Sequence, residues 1–187
     1  TSPMLGHEHI PSTSARLMGV EVSINSRRLR DREIPYERNP GVLRILMLGD
    51  SLTFGWGVTL EDTTSKQLEK LLNSAGIRAE VINTGVGNYN TIMEVEFFLT
   101  EGKKYSPDIV VLNYFINDAE PMPNYGHAGW LARHSYAFAY LAGHLDMLMR
   151  RLSQEANWRE YYQGLYADGA TGWAAANTRI SMLAREC

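Results

Sequence analysis

The sequence is nearly free of cysteine. Of its 187 residues only Cys187, the last, carries a thiol. One thiol builds neither an internal disulfide nor a cysteine metal cluster, so the redox compartment cannot be read from it. No charge of one sign dominates either: 18 Lys and Arg stand against 21 Asp and Glu, a net charge of −3. That gives no electrostatic case for a nucleic-acid partner. Long apolar runs are missing too, and none approaches the roughly 20 residues of a membrane-spanning helix. The first residues, Thr1 to Gly6, hold neither a basic stretch nor an apolar one, so no signal peptide is legible. Position 1 is not Met, which fits a processed protein or a fragment. Internal repeats and low-complexity tracts are absent. What remains is an ordinary globular composition, 44% hydrophobic and 21% charged, long enough for one domain with a real core.

Residues 1–19 read as an irregular lead-in. Val20, Val22 and Ile24 alternate with Glu21 and Ser23, which predicts a short half-buried strand. The Arg-rich stretch from Arg27 to Arg32 reads as a solvated loop with local ion pairs. Leu43 to Leu48 is nearly continuous in apolar side chains and bounded by glycines, as expected of a strand buried on both faces. A helix is predicted over 62–75, with Leu68, Leu71, Leu72 and Ala75 on one face and Gly76 ending it. Glu80–Ile82 is a second strand, 91–104 a second helix, and Asp108–Tyr114 a third strand. Leu141, Leu145, Leu148 and Leu152 step at helical spacing, and a last helix runs from Trp173. Strands alternating with helices imply an α/β fold, a doubly wound parallel sheet in a three-layer α/β/α arrangement. The expected division is an extension over 1–41 and a main domain over 42–187.

Ligands of open parallel sheets sit beyond the carboxyl ends of the strands. Gly49-Asp50-Ser51-Leu52 follows the first apolar strand and presents a hydroxyl at the sheet edge. Position 53 is Thr, so the block is not a G-x-S-x-G elbow, and no P-loop ending is present. Asn83-Thr84-Gly85-Val86-Gly87-Asn88-Tyr89-Asn90 follows the second strand. As a dinucleotide fingerprint it fails at Asn90, but Gly and Asn most readily take positive φ and can turn a backbone N–H inward. Phe115-Ile116-Asn117-Asp118 follows the third, with a carboxamide able to donate to an oxyanion. One nucleophile, Ser51, and three donors (the Ser51 N–H, the N–H of Gly87 or Asn88, and the Asn117 side chain) suit acyl transfer through a tetrahedral intermediate. Asp50 reads as a bracing acceptor, and Trp56 is a candidate to line a substrate pocket. The aromatics Trp130, Tyr136, Phe138 and Tyr140 read as core or lid packing.

These blocks resemble the SGNH, or GDSL-like, hydrolase superfamily over roughly residues 20–187. Gly49-Asp50-Ser51-Leu52 matches the family's first block, Val81 to Val86 opens the second, and Asn117-Asp118 matches the third. The resemblance implies a flavodoxin-like fold, Ser51 as nucleophile and Asn117 as oxyanion donor. An ungapped match puts Asn88 at the oxyanion position, with Gly87 as the alternative; Asp118, like Asp50, braces the site. Phe115 stands where the family has glycine. No cofactor and no metal are implied. The implied substrate is a small acyl ester or an acylated carbohydrate, and the implied setting is extracytoplasmic.

The resemblance also implies a late D-x-x-H block supplying the base and its orienting carboxylate. Residues 119–187 contain none. His127, His134 and His144 come too early, and His7 and His9 lie in the lead-in, where adventitious metal binding is the one functional reading they offer. The expectation is therefore a domain lacking its last strands. Two alternatives to ester hydrolysis follow: O-acyl transfer to a polysaccharide by the same site, and a non-catalytic binding module that keeps the fold.

Overall fold

The computed structural model describes residues 3–121 and 158–187. The helix read at Leu141–Leu152, the four aromatics from Trp130 to Tyr140, and His127, His134 and His144 lie outside the described residues.

A parallel three-stranded sheet forms the centre. Its strands are β3 (Leu43–Leu48), β4 (Ala79–Asn83) and β5 (Ile109–Leu112), in the order β4-β3-β5. An antiparallel hairpin, β1 (Thr13–Leu17) and β2 (Val20–Ile24), precedes it. The helices are α1 (Ser51–Phe54), α2 (Thr64–Ser74), α3 (Thr91–Thr100), α4 (Trp158–Leu165) and α5 (Thr171–Glu186). This is the mixed α/β architecture expected from alternating strand and helix patterns.

Side-chain alternation along the strands builds two cores. Ile45, Met47 and Val81 face Leu68 and Leu72 of α2. Leu46, Leu48 and Ile82 face the other way, onto Met93, Phe97 and Phe98 of α3 and Leu183 of α5. Helices therefore cover both faces, giving three layers. The second core also takes in Leu5, Leu29 and Ile34, so residues before 42 fill part of the central packing. Val22 and Ile24 of the hairpin pack on Phe54 of α1.

Four sequence expectations are corrected. Residues 1–19 are not all an irregular lead-in, since Thr13–Leu17 pairs with the expected strand at Val20–Ile24. Leu71 is 67% exposed, and the inner face of α2 instead buries Ser65 and Lys66. Lys66 tolerates burial because its ammonium sits 2.7 Å from the buried Asp31 carboxylate and donates to the Val81 carbonyl at 2.6 Å. The helix over 91–104 breaks at Glu101, and Gly102–Tyr105 continues as a 3₁₀ turn. A Cβ on Gly102 would meet the Phe98 ring at 3.1 Å, so this turn packs closely on α3. Finally, the Arg27–Arg32 stretch is not wholly solvated. Arg30 is 1% exposed. Its guanidinium donates to the carbonyls of Phe54, Gly55 and Val58, satisfying backbone acceptors at the end of α1.

Candidate active site

Ser51 opens α1 immediately beyond β3. The strand can leave the sheet this sharply because position 49 is glycine. A Cβ there would lie 2.0 Å from Thr53 Oγ1 and 3.2 Å from the Asn113 Cβ. Asp50 is the N-cap, its Oδ1 accepting the Leu52 N–H at 2.8 Å. The Ser51 hydroxyl and backbone N–H have no partner among the described residues, and the side chain is half-buried. Around it the surface is apolar: Leu52 and Trp56 are 58% and 52% exposed.

The loop after β4 is pressed against this turn. A Cβ on Gly85 would lie 2.1 Å from the Phe54 backbone nitrogen, and Val86 N–H donates to the Gly49 carbonyl at 3.1 Å. Two residues later the candidate donors separate. Asn88 takes the left-handed conformation, φ 62. Gly87 has open space where a Cβ would be and no positive φ, so nothing at that position demands glycine. Asn90 then caps α3 through Met93 N–H at 3.2 Å, while its amide donates to the Glu120 carbonyl at 2.9 Å.

The loop after β5 closes the site from the other side. Asn113 N–H donates to the Leu48 carbonyl at 3.0 Å, and Asn113 Nδ2 to Thr53 Oγ1 at 2.9 Å. Asn117 stands in a 3₁₀ turn (Ile116–Ala119) and donates from Nδ2 to Asp50 Oδ2 at 3.2 Å. One carboxylate thus braces two blocks, holding the serine turn with one oxygen and Asn117 with the other. Asp118 Oδ2 accepts the Phe115 N–H and closes the turn.

Beneath these loops lies a buried acidic group. Asp50, Asp118 and Glu94 are each at most 2% exposed. Among the described residues neither Glu94 oxygen has a hydrogen-bond partner, nor does Asp118 Oδ1. Burial, then repulsion from Asp118 and Asp50, pushes the Glu94 carboxyl well above its ordinary range. Burial pushes Asp118 up to about 7, opposed by its bond from Phe115 N–H and reinforced by Asp50. Among the described residues no cluster of three or more His, Cys, Asp or Glu is arranged to hold a metal ion.

The sequence profile of the GDSL-like lipase/acylhydrolase family matches residues 47–186, about three quarters of the chain. The chain belongs to this family. Solved structures similar to it include AlinE4 and TesA. AlinE4, an SGNH-hydrolase family esterase, is 28% identical over 44% of this chain and 44% of its own, with a TM-score of 0.38. TesA is 21% identical over 41% of this chain and 42% of its own, also with a TM-score of 0.38. The chain thus spans less than half the length of these structures. No curated protein matches it.

The family match begins at Met47 and takes in all three loops. The structure ties the Asp50–Ser51 turn to Asn117 and packs Gly85 and Val86, which lead into Gly87 and Asn88, against the same turn. Trp56 lies just past α1, its ring 6.0 Å from that of Phe54. Sequence reasoning missed three contributors: Glu94, which looks like an ordinary helical surface carboxylate; Arg30, which looks like one charge in a charged loop; and His7. The ring of His7 bonds the Gly87 carbonyl across 80 residues, and no local pattern signals a contact at that separation.

Proposed function

We propose that Ser51 is the nucleophile of an ester hydrolase acting on small acyl esters or O-acylated carbohydrates. Ser51 Oγ attacks the acyl carbon, and the carbonyl π pair moves onto oxygen. The Ser51 N–H, the Asn88 N–H and the second N–H of Asn117 Nδ2 hold that oxyanion. Collapse restores the carbonyl and breaks the bond to the alcohol, which departs carrying the proton taken from Ser51, while the acyl group stays on Oγ. Water then repeats the sequence and releases the acid. The proton carrier this requires is the part that the resemblance assigns to a histidine.

The observation that carries this reading is the Asp50 carboxylate, bonded at once to the turn of Ser51 and to the amide of Asn117. It links the turn that carries Ser51 to the Asn117 amide, which supports their acting together. A neutral amide already oriented there needs no reorganisation as charge develops. The exposed Leu52 and Trp56 side chains offer an apolar surface for the acyl group or sugar face.

The test is acyl trapping. The chain is exposed to p-nitrophenyl acetate and its peptides are mapped by mass spectrometry. Acetyl is expected on Ser51, lost in Ser51→Ala and formed about 100-fold more slowly in Asn117→Ala. Acetyl on lysines alone, unchanged in Ser51→Ala, would sink the reading.

A further inference from the structure

The N-terminal segment meets the Gly87 peptide through the His7 ring. His7 Nε2 lies 2.8 Å from the Gly87 carbonyl oxygen. A carbonyl can only accept, so this nitrogen carries the hydrogen and donates it. The Gly87 carbonyl and the Asn88 N–H are the two polar ends of one peptide unit. That unit is planar and trans, so its two ends point in opposite directions. Holding the oxygen toward His7 therefore sends the Asn88 N–H away from the N-terminal segment.

The peptide needs such a hold. It follows a glycine with open space at its Cβ position, and Gly87 resists rotation less than any other residue would. Neither end of it is bonded within secondary structure. His7, by contrast, is anchored. Its carbonyl accepts the Tyr89 hydroxyl at 2.7 Å, and its ring meets the Tyr89 ring edge-on with centroids 5.2 Å apart. Tyr89 is 2% exposed and part of the main core, as is Leu5, whose carbonyl accepts the His7 N–H at 2.6 Å. The clamp thus ties a mobile kind of peptide to two buried side chains.

We propose that His7 is a positioning residue: by holding the Gly87 carbonyl it fixes the peptide that presents the Asn88 N–H to the reacting oxygen. The proposal rests on the reading of Asn88 as an oxyanion donor. A hydrogen bond to the carbonyl end also polarises the peptide and strengthens its N–H as a donor. His7 acts through Asn88 and does not touch the substrate.

The test separates the ring contact from the hydrogen bond. His7→Phe keeps a ring against Tyr89 and removes the donor; His7→Gln restores an N–H donor without the ring. Each full-length variant is reacted with an alkyl fluorophosphonate, and adduct on Ser51 is followed by intact mass, with Ser51→Ala as the blank. At saturating probe, His7→Phe is expected to react about tenfold more slowly with unchanged half-saturation, and His7→Gln to return within about threefold of the unsubstituted rate. The Asn88 amide ¹⁵N resonance, which senses the bond on its own peptide carbonyl, should move in His7→Phe and return in His7→Gln. Wild-type rates in His7→Phe, equal slowing in both variants, or an unmoved Asn88 resonance overturns the proposal and leaves Ser51 as nucleophile intact. Absence of any adduct on Ser51 in the unsubstituted chain instead overturns the hydrolase reading and this proposal with it.

Discussion

At the scale of single residues, two buried acids close to Asp50 set a pH dependence of stability. Glu94 and Asp118 titrate higher in the folded chain than unfolded, mainly because burial disfavours their charged forms. The folded state therefore binds more protons than the unfolded one between the ordinary carboxylate range and about 7 for Asp118. The stability these groups contribute is complete below the unfolded pKa values and is lost as pH rises through the folded ones. Urea unfolding is thus expected to give a lower midpoint at pH 8 than at pH 5. Glu94→Gln removes one titration, so its stability relative to the parent should rise between those pH values. A parallel shift of parent and variant at both pH values would refute this.

Residue types were legible where local chemistry decides them. Gly49, Asp50 and Ser51 could be read because a strand exit followed by a capping acid has a local signature. Glu94 was hidden for the opposite reason. Its acidic neighbours Asp50 and Asp118 come from other elements, and no spacing within Thr91–Thr100 reports that.

At the scale of elements, the site loops are held by contacts that leave no room for change. Gly172 near the start of α5 lies under the turn carrying Asn117; a Cβ there would sit 1.9 Å from the Ala119 carbonyl oxygen. Tyr166, beyond α4, donates to the Ile116 carbonyl at 3.0 Å and lies 2.8 Å from the Tyr114 hydroxyl. Gly172→Ala should therefore cost about 1–3 kcal/mol in denaturant unfolding and slow Ser51 labelling as well. Unchanged stability and labelling would show that α5 does not support the turn. A second element-scale contact is α2 against the sheet. Lys66→Met leaves the Asp31 carboxylate buried with the Asn83 N–H at 2.9 Å, the Arg32 N–H at 2.8 Å and a long ion pair to the Arg32 guanidinium at 3.9 Å. The expected loss is about 3–5 kcal/mol, reduced when Asp31→Asn is added. Strictly additive losses in the double variant would contradict a specific pair.

Strands and helices were readable because their patterns are local: β3, β4, β5, α2 and α5 appear close to where the sequence put them, and α3 does so as far as Thr100. The inner face of α2 was readable at Leu68 and Leu72 but not at Lys66, which is buried by a partner 35 positions earlier in the chain. A charge paired that way has the spacing of a core residue and the chemistry of a surface one.

At the scale of the whole molecule, the site depends on segments at both ends of the described chain. Arg30 secures the end of α1, His7 secures the Gly87 peptide, and α4 and α5 secure the Asn117 turn. The first 41 residues, read from sequence as an extension, contribute Leu5, Leu29 and Ile34 to the central core. Long-range packing of this sort leaves no periodic trace, which is why the central sheet was legible and its supports were not.

The most direct measurement is a crystal structure of the chain after reaction with an alkyl fluorophosphonate. The predicted result is phosphorus bonded to Ser51 Oγ, with one phosphoryl oxygen about 2.7–3.1 Å from the Ser51 nitrogen, the Asn88 nitrogen and Asn117 Nδ2. A phosphoryl oxygen turned to solvent, with the Asn88 and Asn117 donors both out of reach, would contradict it.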